Sequence, residues 1–141
     1  MISFRYLQVK DDGEIRKLFT QLTKNPVDFD VEFLVNHKFA YCRVMEDDGR
    51  IIGFAALIVH PVPTKGLVAR VEDVVLDKEY RGRGLGKKIM EDLIEIAKSL
   101  KIQIIILTSN PKRIPARNLY ESLGFNLIDT GVFLLKIDNQ Y

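Results

Sequence analysis

The spacing of apolar positions changes several times along the chain, and each change marks an element. "ISFRYLQV" alternates apolar and polar residues and predicts a strand. "DDGEIRKLFTQLTK" places Ile15, Leu18, Phe19 and Leu22 at helical spacing and is closed by Pro26. "VDFDVEFLVNH" predicts a second short helix with Phe29, Phe33 and Leu34 facing inward. "KFAYCRVME" and "IIGFAALIVH" are strands joined at Asp48-Gly49, a hairpin signal, and the second is apolar enough to be buried on both faces. "PVPTKG" predicts a loop, because Pro61 and Pro63 cannot both sit in a central strand.

"LVARVEDVVL" is the next strand. "LGKKIMEDLIEIAKSL" carries the clearest helical stripe, formed by Leu85, Ile89, Leu93, Ile96, Ala97 and Leu100. "IQIIIL" predicts a short, fully buried strand, so the strand–helix–strand order implies a parallel crossover. "PARNLYESLG" is a helix closed by Gly124. "FNLIDTGVFLLKI" predicts one or two closing strands around Asp129-Thr130-Gly131. The result is an α/β chain without repeats or an internal boundary. Its 141 residues fit one domain spanning 1–141.

Composition narrows the partners. Lys and Arg total 21 against 19 acidic residues, too balanced for a nucleic-acid surface. The single cysteine, Cys42, excludes an internal disulfide and cysteine-rich zinc sites; it reads as a core residue. No apolar run reaches the ~20 residues that span a bilayer, and the N-terminus lacks a secretory apolar stretch. The expectation is a cytoplasmic protein without a membrane or nucleic-acid partner. His37 and His60 match no motif, and no metal is expected.

The chemistry concentrates in "EYRGRGLGKK", at the strand-to-helix junction. The G-x-G-x-G spacing of Gly82, Gly84 and Gly86 fits neither a P-loop nor a dinucleotide fingerprint. It does suit an anion seat. The first N–H groups of a helix lack internal partners and carry partial positive charge, and glycines let them converge. Arg81, Arg83 and Lys87 add cations around that seat. The competing reading is a tight turn with solvated basic residues.

Two motifs in order decide between these. "YRGRGLGKKIMEDLIEIAKSL" resembles the acetyl-CoA signature [RQ]-x-x-G-x-[GA] of the GNAT superfamily of N-acetyltransferases, with Arg81, Gly84 and Gly86 in place. "ARNLYESLGF" resembles that family's later A-x-x-L-Y-E-x-x-G-F segment through Ala116, Leu119, Tyr120, Glu121, Gly124 and Phe125. The resemblance implies a mixed, mostly antiparallel sheet of six to seven strands with helices on both faces. It also implies a splayed parallel strand pair that holds CoA.

The same resemblance implies site residues. The backbone from Arg81 through Gly82, Arg83, Gly84, Leu85 and Gly86 to Lys87 would seat the pyrophosphate of acetyl-CoA. Val74, Val75 and Leu76 would pair with the pantetheine arm. The implied reaction is direct attack by a small-molecule primary amine in a ternary complex, with no acyl-enzyme and no metal. Glu72 is the candidate general base, with Asp73 the alternative, and both are candidate substrate contacts. Neighbours on a regular strand face opposite sides, so only a bulge lets both reach one substrate.

The Val74 N–H is the candidate donor to the thioester oxygen, and Tyr120 the candidate acid for the leaving thiolate. Many relatives carry Asn where this chain has Arg113. Asn110 could take the pantetheine role instead, leaving Arg113 for a CoA phosphate or an anionic substrate. Dimers are frequent in the family. A protein or peptide acetyltransferase and a non-catalytic CoA-binding regulatory domain are the alternative functions.

Overall fold

A computed structural model describes residues 1–137. The elements run β1 (Ile2–Tyr6), α1 (Asp12–Phe19), α2 (Val31–Asn36), β2 (Ala40–Asp47), β3 (Arg50–Val62), β4 (Gly66–Leu76), α3 (Leu85–Ser99), β5 (Ile105–Ile106) and α4 (Ile114–Ser122). They form a five-stranded sheet in the order β1-β2-β3-β4-β5. Every pairing is antiparallel except β4 with β5, which is parallel and brief.

Strand alternation sorts the core into two layers. Phe54 and Ala56 of β3 and Cys42 and Val44 of β2 pack with Ile15, Leu18 and Phe19 of α1. Ala55, Leu57 and Val59 of β3 pack with Leu85, Ile89, Met90 and Leu93 of α3. Helices therefore cover both faces. The central strand β3 is buried continuously from Ile51 to Leu57, as its apolar run predicts. Its hairpin with β2 turns at Asp48 (φ 47°) and Gly49 (φ 86°), the left-handed pair that a two-residue turn requires.

Polar residues tie the layers together. Arg43 of β2 makes two bonds to Asp92 of α3, at 2.8 and 3.0 Å, and stacks 4.4 Å from the Tyr6 ring centroid. Arg5 makes two bonds to buried Asp11, at 2.8 and 2.9 Å, and also pairs with Glu46. Burial alone would raise the Asp11 carboxyl. The Arg5 guanidinium and the Gln8 N–H outweigh it and hold Asp11 below the usual carboxylate range.

Several expectations need correction. Among the described residues the sheet has five strands and the expected six to seven are not found, because 125–137 forms no strand. "IQIIIL" is neither long nor fully buried: two residues pair, and Ile104 is exposed where β5 has no outer neighbour. "PVPTKG" is only partly a loop. Pro61 and Val62 extend β3 opposite Leu67 and Gly66, beyond the stretch paired with β2, where a missing N–H matters less. Phe33 faces solvent instead of the core, while Phe29 is buried and Leu34 packs beside it.

Candidate active site

The site is built around an interruption in β4. Glu72 pairs with Ala56 and Val75 with Phe54, so Asp73 and Val74 stand opposite the single residue Ala55. This is a β-bulge, and Asp73 takes φ 52° to make it. The bulge resets the strand's alternation. Val71 faces α3 before it; after it Val74 faces α3 and Val75 faces α1.

Through the same kink Glu72 and Asp73 line one cavity of about 370 Å³ on the α1 side. Its walls include Phe19, Phe29, Cys42, Phe54 and Ile58. None of its lining residues is Lys or Arg.

The two carboxylates differ. Arg70 donates to Glu72 across 2.7 Å, so Glu72 is held in an ion pair. Asp73 accepts no hydrogen bond from the described residues, and desolvation raises its pKa, helped by the neighbouring Glu72 charge. Cys42 lies on the cavity wall, buried as expected. Burial and then the Asp73 charge push its thiol up to about 11, which keeps it un-ionised and a poor nucleophile.

The other side of β4 is open. β5 pairs only at Ala69–Ile105 and Arg70–Ile106, and among the described residues β4 has no strand neighbour on that edge from Val71 to Leu76. The predicted parallel pair is present, over two residues. An extended chain could hydrogen-bond along Val74, Val75 and Leu76 there.

Next along the chain lies the glycine loop. Gly82 (φ 77°) and Gly84 (φ 76°) are left-handed, and Gly84 caps α3 with no side-chain partner. No acidic residue occupies the first turn of α3. Among the described loop bonds none is donated by the Gly82, Arg83 or Gly84 N–H. This donor set fits a pyrophosphate.

The loop's arginines are partly committed. Arg81 donates from Nε to the Leu76 carbonyl at 3.0 Å, and Arg83 donates to the Glu79 carbonyl at 3.0 Å while lying 4.9 Å from the Tyr80 ring. Tyr80 in turn donates to Asp47 at 2.8 Å. This anchor to the β2–β3 hairpin escaped sequence reading, because no local pattern links residues so far apart. Leu85 is buried under the loop, and Lys87 is exposed.

Tyr120 packs on the α3 face in the same cluster as Val74, away from the carboxylate cavity. Its position is set by the end of α4. Gly124 (φ 96°) donates to the Glu121 carbonyl and Phe125 to the Tyr120 carbonyl, each at 3.0 Å, a Schellman closure. The Phe125 ring then sits 6.1 Å from the Tyr120 ring.

Asn110 spends its side-chain oxygen on the Lys112 N–H at 2.9 Å, folding its own loop. Arg113 is the exposed N-cap of α4. Sequence reading passed over Arg117, which donates to the Ser109 carbonyl at 2.7 Å and holds that loop on α4. Among the described residues no three His, Cys, Asp or Glu side chains gather as a metal site, and no helix is long and apolar enough to cross a membrane.

The acetyltransferase (GNAT) family model aligns with residues 6–125. The chain belongs to the GNAT family.

Among curated relatives, a glucosamine 6-phosphate N-acetyltransferase of Trypanosoma brucei brucei is 47% identical over 79 residues, covering 55% of this chain and 52% of that protein. A probable glucosamine 6-phosphate N-acetyltransferase 2 of Oryza sativa subsp. japonica is 42% identical, over 48% of this chain and 37% of that protein. The GNAT chain described here thus spans 52% and 37% of the length of these two curated relatives. Among solved structures, an acetyltransferase of Trypanosoma brucei superposes with a TM-score of 0.79 at 33% identity, covering 96% of this chain and 100% of that one.

Proposed function

We propose that this chain transfers the acetyl group of acetyl-CoA to the primary amine of a small molecule. One observation carries the reading: the β4 bulge turns two carboxylates into one cavity while leaving the strand's other edge open beside a glycine-capped helix N-terminus. Acetyl-CoA would supply an acetyl group activated as a thioester. The N–H groups from Gly82 to Lys87 would hold its pyrophosphate, and the Val74–Leu76 edge its pantetheine arm.

The chain's residues then divide the work. An ammonium entering the cavity is attracted by Glu72 and Asp73. Asp73, unpaired and raised in pKa, is the better base once the amine must lose a proton; the Arg70-bound Glu72 positions it. The amine nitrogen bonds to the acyl carbon as the carbon–sulfur bond breaks. The Val74 N–H stabilises the oxygen where charge develops, and the Tyr120 hydroxyl protonates the departing sulfur.

The cavity, about 370 Å³, is of a size that holds a small acceptor. The curated relatives named for glucosamine 6-phosphate support a small-molecule amine as the acceptor. A free-thiol release screen with acetyl-CoA and arylalkylamines, polyamines, glucosamine 6-phosphate and short peptides tests this. Turnover with a small-molecule amine is expected. Thiol release with peptides alone would overturn the acceptor class, and a lack of stabilisation by acetyl-CoA would overturn the donor.

A further inference from the structure

A buried polar atom without a hydrogen-bond partner costs stability, and folded proteins leave few of them. Among the described residues, Ser109 Oγ and Arg117 Nε are in that state, and they belong to one joint. Arg117 donates from a terminal nitrogen to the Ser109 carbonyl at 2.7 Å. Both orphan atoms are closed to solvent, so water cannot satisfy them either.

Their place in the fold is specific. Ser109 lies three residues past Ile106, where β5 ends and its chain parts from β4. Arg117 lies on α4 three residues before Tyr120, on the same side of that helix. Leu107 and Tyr120, which flank the joint in the sequence, pack in the cluster that holds Val74 and Leu76. The joint therefore belongs to the chain that forms the far wall of the gap from Val74–Leu76. The neighbouring polar residues do not share its condition. Asn110 is exposed and bonds the Lys112 N–H, and Arg113 is exposed.

We infer that Ser109 and Arg117 bind an amide group of the pantetheine arm of acetyl-CoA, and that the gap widens to bring them into reach as the arm enters. The inference rests on the acetyl-CoA reading. The chemistry of the two atoms matches. Arg Nε–H is a donor only, whereas a hydroxyl both donates and accepts. A secondary amide offers one acceptor and one donor, so a single amide satisfies both. The protein side of each bond is already desolvated in the free state, so forming it gives up no bond to water.

Thermal unfolding without ligand and titration calorimetry test this. The calorimetry uses CoA and the nucleotide fragment of CoA that keeps the pyrophosphate and lacks the arm. Ser109→Ala removes an atom that bonds nothing among the described residues. The variant should melt at or above the wild-type temperature, yet bind CoA about fivefold more weakly. Arg117→Lys keeps a cation for the Ser109 carbonyl and removes the Nε–H, and should weaken CoA binding similarly. Both variants should bind the fragment as the wild type does.

A lower melting temperature in Ser109→Ala would mean that the hydroxyl is already bonded in the free protein, and would overturn the inference. So would undiminished CoA affinity in either variant. Equal weakening for CoA and the fragment would move the two residues from the arm to the nucleotide. A wild type that binds neither ligand would overturn the acetyl-CoA reading itself, and this inference with it.

Discussion

Gly84→Ala and Gly86→Ala are the same chemical change two residues apart, and the structure separates them. Gly84 has φ 76° and ψ 8°, and a Cβ there would meet nothing within 4 Å. Its cost is therefore conformational, about 1–2 kcal/mol for an L-residue held left-handed. Gly86 lies inside the first turn of α3 without a positive φ, and its Cβ would stand 3.5 Å from Leu119 Cδ2, an ordinary contact. There alanine gains up to about 1 kcal/mol of helix propensity.

The two variants should differ by about 2 kcal/mol, roughly 8 °C in Tm for a chain of this size. Thermal unfolding with and without acetyl-CoA reads both consequences. Gly86→Ala should keep the cofactor's stabilising shift, and Gly84→Ala should lose most of it, because the N–H groups that would converge on the pyrophosphate rotate with its backbone. Should Gly84→Ala prove as stable as Gly86→Ala, the left-handed cap is not what the loop needs. An undiminished acetyl-CoA shift in Gly84→Ala would remove the pyrophosphate from this loop.

Asp73→Asn should abolish the rise of rate with pH through a value above the ordinary carboxylate range, whereas a wild-type profile returns the base to Glu72. Tyr120→Phe should lower turnover more than acetyl-CoA affinity; full activity would leave Tyr120 a packing residue. Arg43→Ala strands the largely buried Asp92 carboxylate and should cost about 3 kcal/mol in urea unfolding, part of it restored by Asp92→Asn. Asp11 has a folded pKa below its unfolded one, so its contribution is complete above about pH 4 and is lost as pH falls through the depressed value. Asp11→Asn should flatten that acid limb of the stability curve.

How much of this was legible in the sequence depends on how local the cause is. The Asp48-Gly49 hairpin, the continuous burial of "IIGFAAL" and the stripe of α3 follow from short-range rules of period and turn chemistry. The glycine loop could be read as an anion seat because Gly82, Gly84 and the helix start are neighbours in the chain. Gly124 could be read as a helix stop for the same reason. "FNLIDTGVFLLKI" misled, because its pattern favours a strand, and a strand forms only where a sheet edge pairs with it.

Tertiary structure decided what depends on register. Sequence offered Glu72 and Asp73 as rivals on opposite faces of a strand; the bulge against Ala55 puts both on one cavity wall. Arg70 then claims Glu72 and leaves Asp73 free to take a proton, a distinction that arises only once the strand is paired and kinked. Likewise the open edge from Val71 to Leu76 exists because β5 pairs for two residues and stops. The chain alone determined its elements and the chemistry of the helix cap, since both are written within a few residues. Where the strands slip and remain unpaired was set by long-range packing, and there the candidate site lies.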